Sequence, residues 1–336
     1  MSEPLGAAVI GLGMMGEGHA RVWSELPDTR LVAVYDLLPE RTRDLAERRG
    51  CAAATSVEEL LARDDVALVS VCTDDHRHAE PCLAAAAAGK HLLVEKPLAT
   101  TLADCDAIIA GCRAAGVKLM VGHIVRFDPR YAVAQQAVAD GEIGEVVQVY
   151  ARRNNIAPNG RRIAPRTSVA FFLGVHDLDL MRWCVGSEVV KVYAESASKV
   201  LADLAAEDTI FALLKYGNGA AGCLENCWVV PEGVLCTLDA RLEIIGTEGM
   251  VRVTVGDEAC TLVSAQRATR PDILYGPVVH GESQGALRRQ LEHFARCVRG
   301  DREPLISGED ARAAVEVCVA IHESLQSGGP VYPATG

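Results

Sequence analysis

The hexapeptide Gly11-Leu12-Gly13-Met14-Met15-Gly16 constrains this chain more than any other feature, because of what flanks it. It follows the apolar run AAVI, opens a helical segment and lies 25 residues before Asp36. Three glycines so spaced are weak evidence alone: with 30 glycines in 336 residues, chance supplies about 0.2 matches per chain. The strand–turn–helix context gives each glycine a task. The first makes a tight turn, the second lets the backbone approach a pyrophosphate, and the third lets the helix pack closely on the strand. The helix start offers N–H groups and the positive end of its dipole to phosphates. Gly11, Gly13, Met14, Met15 and Gly16 therefore form a candidate cofactor cradle; a glycine turn without a ligand is the other reading. Asp36 ends the second apolar run, where it can accept bonds from ribose hydroxyls and repel a 2′-phosphate. This points to NAD rather than NADP, although Arg41 and Arg43 could soften the preference. Asp36 as a plain turn or capping acid is the alternative.

Around this turn, strands alternate with helices. The runs AAVIGLG, LVAVYD, ALVSVCT, HLLVEK and KLMVGH read as strands. Between them lie helical stretches from Met15 to Leu26, PERTRDLAERRG, SVEELLARD, His78 to Ala88, and TLADCDAIIAGCRAAG. Such alternation predicts right-handed crossovers and a parallel sheet. After residue 123 strand-like runs follow one another: EVVQVYARR, VVKVYAES, DTIFALLKY, AGCLENCWV, TLDARLEIIG, MVRVTV and ACTLVSA. Gly217-Asn218-Gly219 and Gly246-Thr247-Glu248-Gly249 read as hairpin turns between antiparallel strands. The last sixty or so residues are helical again. The expected fold is an α/β N-terminal Rossmann domain over residues 1–123, plus an α+β C-terminal domain with a largely antiparallel open sheet over 124–336. The length suits two cores better than one.

The formal net charge of −12 argues against nucleic acid or an anionic membrane as partner. The basic residues are scattered, apart from pairs such as Arg152-Arg153 and Arg161-Arg162 that could meet an anionic group locally. The N-terminus lacks a signal-peptide pattern and no run is apolar enough to span a bilayer, so a cytoplasmic protein is expected. The twelve cysteines are dilute, and the pair Cys223 and Cys227 has no second pair at a zinc spacing. They read as reduced thiols, and no metal is expected. A strand-rich second half with few helices to cover its sheet predicts self-association, as a dimer or tetramer.

Several motifs coincide with one family. AVIGLGMMGEGHARVW, AAGKHLLVEKPLATT, VGHIVRFDPRY, GVHDLDLMRW and LEIIGTEGMVRV span nearly the whole chain. Together they resemble the Gfo/Idh/MocA oxidoreductases, which include glucose–fructose oxidoreductase, inositol dehydrogenases and nucleotide-sugar 3-dehydrogenases. The resemblance implies that Lys96, within Glu95-Lys96-Pro97, is the active-site lysine and His176 the catalytic acid/base, followed by Asp179 at the usual spacing. It places Glu95, Lys96 and Thr73 among the cofactor contacts, with Asp74 where a proline often stands. It places Lys96, Arg126, Phe172 and His176 about the substrate. Phe172 is a departure: sugar and inositol dehydrogenases usually carry aspartate there, four residues before the histidine.

The chemistry suits these residues. Removing a hydride from a secondary alcohol needs a base for the hydroxyl proton, and neutral histidine, with a reference pKa of about 6.5, is apt. A lysine ammonium beside the same oxygen stabilises a developing alkoxide. A solvated surface lysine is the bland alternative for Lys96. For His176 the alternatives are a core histidine or a metal ligand with Asp177 and Asp179. His76, His78 and His123 carry no independent signal. The expectation is an NAD-dependent dehydrogenase or ketoreductase acting on a small polyhydroxylated substrate: a sugar, nucleotide sugar or cyclitol. A dehydrogenase of another small ketone or dihydrodiol, or a catalytically silent NAD-responsive regulator, is the alternative.

Overall fold

A computed structural model describes residues 3–256, 260–263, 266 and 268–334. Contacts divide the chain into two compact units, Met1–Phe127 with Leu274–Arg312, and Asp128–Ile273 with Ala313–Gly336.

The first unit is built on a six-stranded parallel sheet. Its strands are β1 (Leu5–Ile10), β2 (Thr29–Tyr35), β3 (Ala52–Ala53), β4 (Leu68–Val71), β5 (His91–Val94) and β6 (Leu119–Val121). They lie in the order β3-β2-β1-β4-β5-β6. Ala7, Ala8, Val9, Leu68, Val69, Leu92 and Leu93 are fully buried, as a parallel sheet covered on both faces requires. The connecting helices are α1 (Met14–Glu25), α2 (Pro39–Arg49), α3 (Val57–Leu61), α4 (Ala79–Ala87) and α5 (Leu102–Ala115). Gly50 and Gly116 close α2 and α5 in the left-handed conformation, at φ 67° and 66°. Chain order reverses between β1 and β4, so the loops at their carboxyl ends flank the switch point where such sheets bind ligands.

The second unit holds β7 (Val146–Ile156), β8 (Val189–Ala197), β9 (Thr209–Tyr216), β10 (Ala221–Val230), β11 (Leu238–Gly246) and β12 (Met250–Val255), in the order β12-β11-β7-β10-β9-β8. Every neighbouring pair is antiparallel except β7 with β10. The two glycine turns make the expected hairpins, β9–β10 and β11–β12. Two helices not read from the sequence are α6 (Pro129–Ala139) and α7 (Ala157–Ile163); α8 (Val175–Val185) packs on α6, β7 and β10.

The sequence reading ran the second domain unbroken to residue 336. By contacts, 274–312 returns to the first unit, because α9 (Gly285–Arg299) packs on α1 and on the turn Ile124–Phe127. The last helix is α10 (Gly308–Ser327). Of the run 259–265, Ala259, Ser264 and Ala265 lie outside the described residues. Among the described residues no helix is long and apolar enough to cross a membrane.

Candidate active site

Two of the three glycines are required by the protein itself. Gly11 has φ +88°, and a Cβ there would lie 2.7 Å from the Cys72 backbone; one on Gly16 would lie 1.8 Å from the Gly11 carbonyl oxygen. Gly13 is different. Its backbone is extended (φ −70°, ψ −168°), and a Cβ would meet nothing within 4 Å. Packing therefore does not explain this glycine. The space beside it, at a helix start that no side chain caps, is the cradle a pyrophosphate needs. These residues fit NAD.

Asp36 is tied to that turn. Its Oδ2 accepts the Leu12 N–H at 2.7 Å and its Oδ1 the Leu38 N–H at 2.9 Å. A carboxylate offers about four acceptor positions, so ribose hydroxyls still have places to bind. Arg41 approaches Oδ2 to 3.4 Å, which gives the expected softening a geometric basis.

The loops after β4 and β5 carry the next residues. Thr73 is half-buried, and its carbonyl faces His78 Nε2 at 3.1 Å. His78 Nδ1 faces the Pro97 carbonyl at 2.9 Å, so one buried imidazole spans both loops. Burial holds His78 below the ordinary histidine value, leaving it neutral with a single N–H to share. Lys96 is half-buried just past β5. Glu95, expected among the cofactor contacts, is buried with its carboxylate engaged elsewhere. Its Oε1 lies 3.1 Å from His19 Nε2, and its Oε2 accepts the Lys96 N–H at 3.3 Å. Burial pushes Glu95 up, but the His19 bond and the pull of Lys96 outweigh it and hold the carboxyl below the usual glutamate value.

In the second unit, Phe172 falls within a single π-helical turn, Ala170–Gly174, that runs into α8. The sequence reading expected ordinary helical spacing from Phe172 to His176; the wider turn intervenes. Gly174 lets it press on β10, since a Cβ there would lie 2.5 Å from Asn226 Oδ1. Such turns occur often at functional sites. Phe172 and His176 are half-buried, whereas Asp177 and Asp179 are buried. Asp177 receives both Nε and Nη2 of buried Arg153, at 2.8 and 2.9 Å. Burial pushes its carboxyl up, against the pull of Arg153. It is thus committed to an arginine rather than to a metal, and among the described residues no cluster of three metal-ligating side chains forms.

Of the two basic pairs, three members are engaged by carboxylates and Arg162 is exposed. Arg152 bonds to Asp239 at 2.8 Å, Arg153 to Asp177, and Arg161 to Asp203 at 2.6 Å. Arg126 is buried, 3.7 Å from Asp310 and 3.5 Å from the Leu305 carbonyl. His76 is exposed beside Asp75, and His123 is buried. The structure thus groups the glycine turn, Asp36, Thr73 and Glu95-Lys96-Pro97 on the first unit, and Phe172 and His176 on the second. Sequence reasoning missed His19, Ser70 and Trp23. The one available signal was that His19 and Trp23 share a face of α1, four residues apart.

Residues 5–123 match an oxidoreductase family with an NAD-binding Rossmann fold, and residues 131–252 match the GFO/IDH/MocA C-terminal domain. A scyllo-inositol 2-dehydrogenase (NAD(+)) of Bacillus subtilis is 30% identical over 338 residues, 98% of this chain and 97% of that protein. GenD2 from gentamicin A biosynthesis, solved in complex with NAD, has a TM-score of 0.86 at 27% identity, covering 100% of this chain and 98% of that one. A myo-inositol dehydrogenase from Corynebacterium glutamicum has a TM-score of 0.83 at 26% identity, covering 99% and 100%.

Proposed function

From the premise that the chain belongs to the Gfo/Idh/MocA oxidoreductases, an NAD-binding family, we propose that it interconverts a secondary alcohol and a ketone on a sugar, nucleotide sugar or cyclitol. The observation that carries this reading is the open space at Gly13, over an uncapped helix start at the sheet's switch point, with Lys96 at the carboxyl end of β5 in the same sheet. Gly11, Gly13, Met14, Met15 and Gly16 would hold the pyrophosphate, Asp36 the adenosine ribose, and Thr73 and Lys96 the loop side of the cofactor, with Glu95 behind Lys96 rather than against the cofactor. Asp36 favours NAD over NADP, and Kd values for both test that directly; equal values would mean that Arg41 overrides it.

Bound NAD+ supplies the hydride acceptor. Lys96 orients the substrate hydroxyl and stabilises negative charge as its proton leaves. His176 takes that proton as a neutral imidazole, and returns it in the reverse direction. Phe172 offers a ring face where a carboxylate would hold another hydroxyl, so a substrate that shows it an apolar edge is favoured. Arg126 contributes through Asp310 and Leu305, by fixing the segment after β6. The test is nicotinamide absorbance across scyllo-inositol, myo-inositol, aldoses, a nucleotide sugar and a dihydrodiol. Turnover of the ring polyols alone supports the reading, and turnover of the dihydrodiol alone replaces the substrate class. Tight NAD binding with no turnover anywhere would favour the silent regulator.

We read the outer face of the second sheet as the surface on which a second copy packs. Tyr193, Leu213, Cys223 and Tyr150 stand side by side across β8, β9, β10 and β7, and Leu213 is 59% exposed. Apolar rows of this kind on a monomer are interaction surfaces. Light scattering that gives one chain per particle at micromolar concentration would refute it.

A further inference from the structure

Behind Lys96 lies a buried polar chain with no part in the mechanism above. Trp23, His19 and Ser70 have no accessible surface, and Glu95 retains 6%. Trp23 Nε1–H donates to Ser70 Oγ at 2.8 Å, Ser70 Oγ lies 3.0 Å from His19 Nδ1, and His19 Nε2 lies 3.1 Å from Glu95 Oε1. Donor counting orders this chain. An indole only donates and a carboxylate only accepts, so Ser70 Oγ takes the indole N–H, His19 Nε2 presents its N–H to Glu95 Oε1, and the contact of Ser70 Oγ with His19 Nδ1 joins the two. A second feature shows that the carboxylate's place is specified. A Cβ on Gly122 would lie 2.8 Å from Glu95 Oε1, so glycine alone leaves room for it.

We propose that Glu95 is a positioning residue for Lys96, and that Trp23, Ser70 and His19 form the chain that holds its carboxylate in place. The inference rests on the role given to Lys96 above. Glu95 acts in two ways. It accepts the Lys96 main-chain N–H, fixing the point from which the side chain springs. It also places a negative charge within electrostatic reach of the Lys96 ammonium, and that attraction is mutual. The groups facing Glu95 are His19 on α1, His78 at the start of α4, Lys96 beside it and the Cys72 thiol after β4. Burial keeps His78 neutral and pushes the Cys72 thiol well up, so His19 and Lys96 are the groups that hold the Glu95 charge.

The decisive variant is Glu95→Gln, which keeps the shape and removes the charge. The first readout needs neither substrate nor cofactor: the pH dependence of Lys96 acetylation by acetic anhydride, followed by mass spectrometry. In Glu95→Gln the midpoint should move about one unit to lower pH, because the ammonium has lost its anionic neighbour. Turnover on the fastest substrate of the panel should fall about tenfold or more, with its alkaline limb moved the same way and the Kd for NAD changed less than threefold. His19→Leu should lose turnover similarly, whereas His19→Gln, whose amide can still donate to Glu95, should recover most of it. If His19→Leu fails to bind NAD, Glu95→Gln and His19→Gln carry the test. An unmoved acetylation midpoint in Glu95→Gln overturns the inference, as does His19→Gln being no better than His19→Leu. Lys96→Ala separates the two levels. Normal turnover there removes the reading of Lys96 itself, while lost turnover there beside a normal Glu95→Gln removes only the positioning role.

Discussion

Gly13→Ala should leave the unliganded protein within about 1 kcal/mol of its former stability while weakening its grip on NAD. The added methyl meets nothing within 4 Å, and the backbone at φ −70°, ψ −168° is open to any L-residue. Reducing the freedom of the unfolded chain at a compatible site is worth about 0.4–1 kcal/mol. Gly13 is also the N-cap of α1, where alanine is poorer than glycine by a similar amount, so in a folding unit of roughly 150 residues the melting midpoint should move by no more than about 4 °C in either direction. The ligand adds a separate effect. At an NAD concentration about a hundred times the parent Kd, binding stabilises by about 2.7 kcal/mol. If the methyl weakens binding tenfold, the same concentration yields about 1.4 kcal/mol. Thermal melts with and without NAD, beside calorimetric Kd values, read both effects. Gly16→Ala is the contrast, since its Cβ would fall 1.8 Å from the Gly11 carbonyl oxygen and must force the turn apart. That variant should lose about 1–3 kcal/mol or more without any ligand. A Gly13→Ala protein that melts as far below the parent as Gly16→Ala does, or that keeps the full NAD-induced shift, would refute the argument that this space belongs to a pyrophosphate.

His176→Ala should cost about a hundredfold or more in turnover with NAD affinity intact, measured by steady-state rates and titration; full activity would hand the proton to another group. Phe172→Asp should keep the fold, judged by its melt, yet raise KM for the preferred substrate by placing a half-buried charge at an apolar wall. Arg153→Met should destabilise by about 3–5 kcal/mol in denaturant unfolding, because it strands the buried Asp177 carboxylate, and adding Asp177→Leu should restore most of the loss. Glu95 and His78 both titrate below their ordinary values in the folded chain, so each adds stability above those values that is lost as pH falls through the depressed ones. The melting midpoint should therefore drop as pH falls below about 6.5 on account of His78, and further below about 4.5 on account of Glu95; a midpoint flat below pH 6.5 would contradict the first assignment, and no further drop below pH 4.5 the second.

The parallel sheet was legible because each buried strand is bounded by a chemical stop, such as Gly50 and Gly116 after their helices. What escaped had physical causes. β3 is two residues long, too short for a period. α6 buries only Tyr131 and Ala134, so it has almost no apolar stripe, although Asp128 and Pro129 mark its start. Alternation along β7 and β10 identified strands but carried no direction, which left their parallel pairing unread. α9 buries Ala286, Leu287, Leu291 and Phe294. Amphipathicity says that such a face is covered, not by what, so its packing on α1 could not be foreseen.

The site divides along the same line. The glycine turn, Asp36, Lys96 and His176 were legible because they lie in local motifs, whereas the partners of Glu95 were not, because residues 19, 70 and 95 meet only when α1, β4 and β5 assemble. Arg152-Arg153 is instructive for the opposite reason. Two adjacent residues on a strand point to opposite faces, so such a pair cannot grip one anion. Arg152 accordingly reaches Asp239 on the outer side while Arg153 turns inward to Asp177. Arg161 and Arg126 are likewise engaged with Asp203 and Asp310. For an anionic substrate to use Arg153 it would have to displace a carboxylate from a buried guanidinium, leaving that carboxylate uncompensated at a cost of several kcal/mol. A neutral ring polyol asks for no such exchange. Within the proposed substrate class, the engagement of these four arginines therefore favours a neutral sugar or cyclitol over a nucleotide sugar, and the nucleotide sugar should be the slowest of the carbohydrate substrates in the panel.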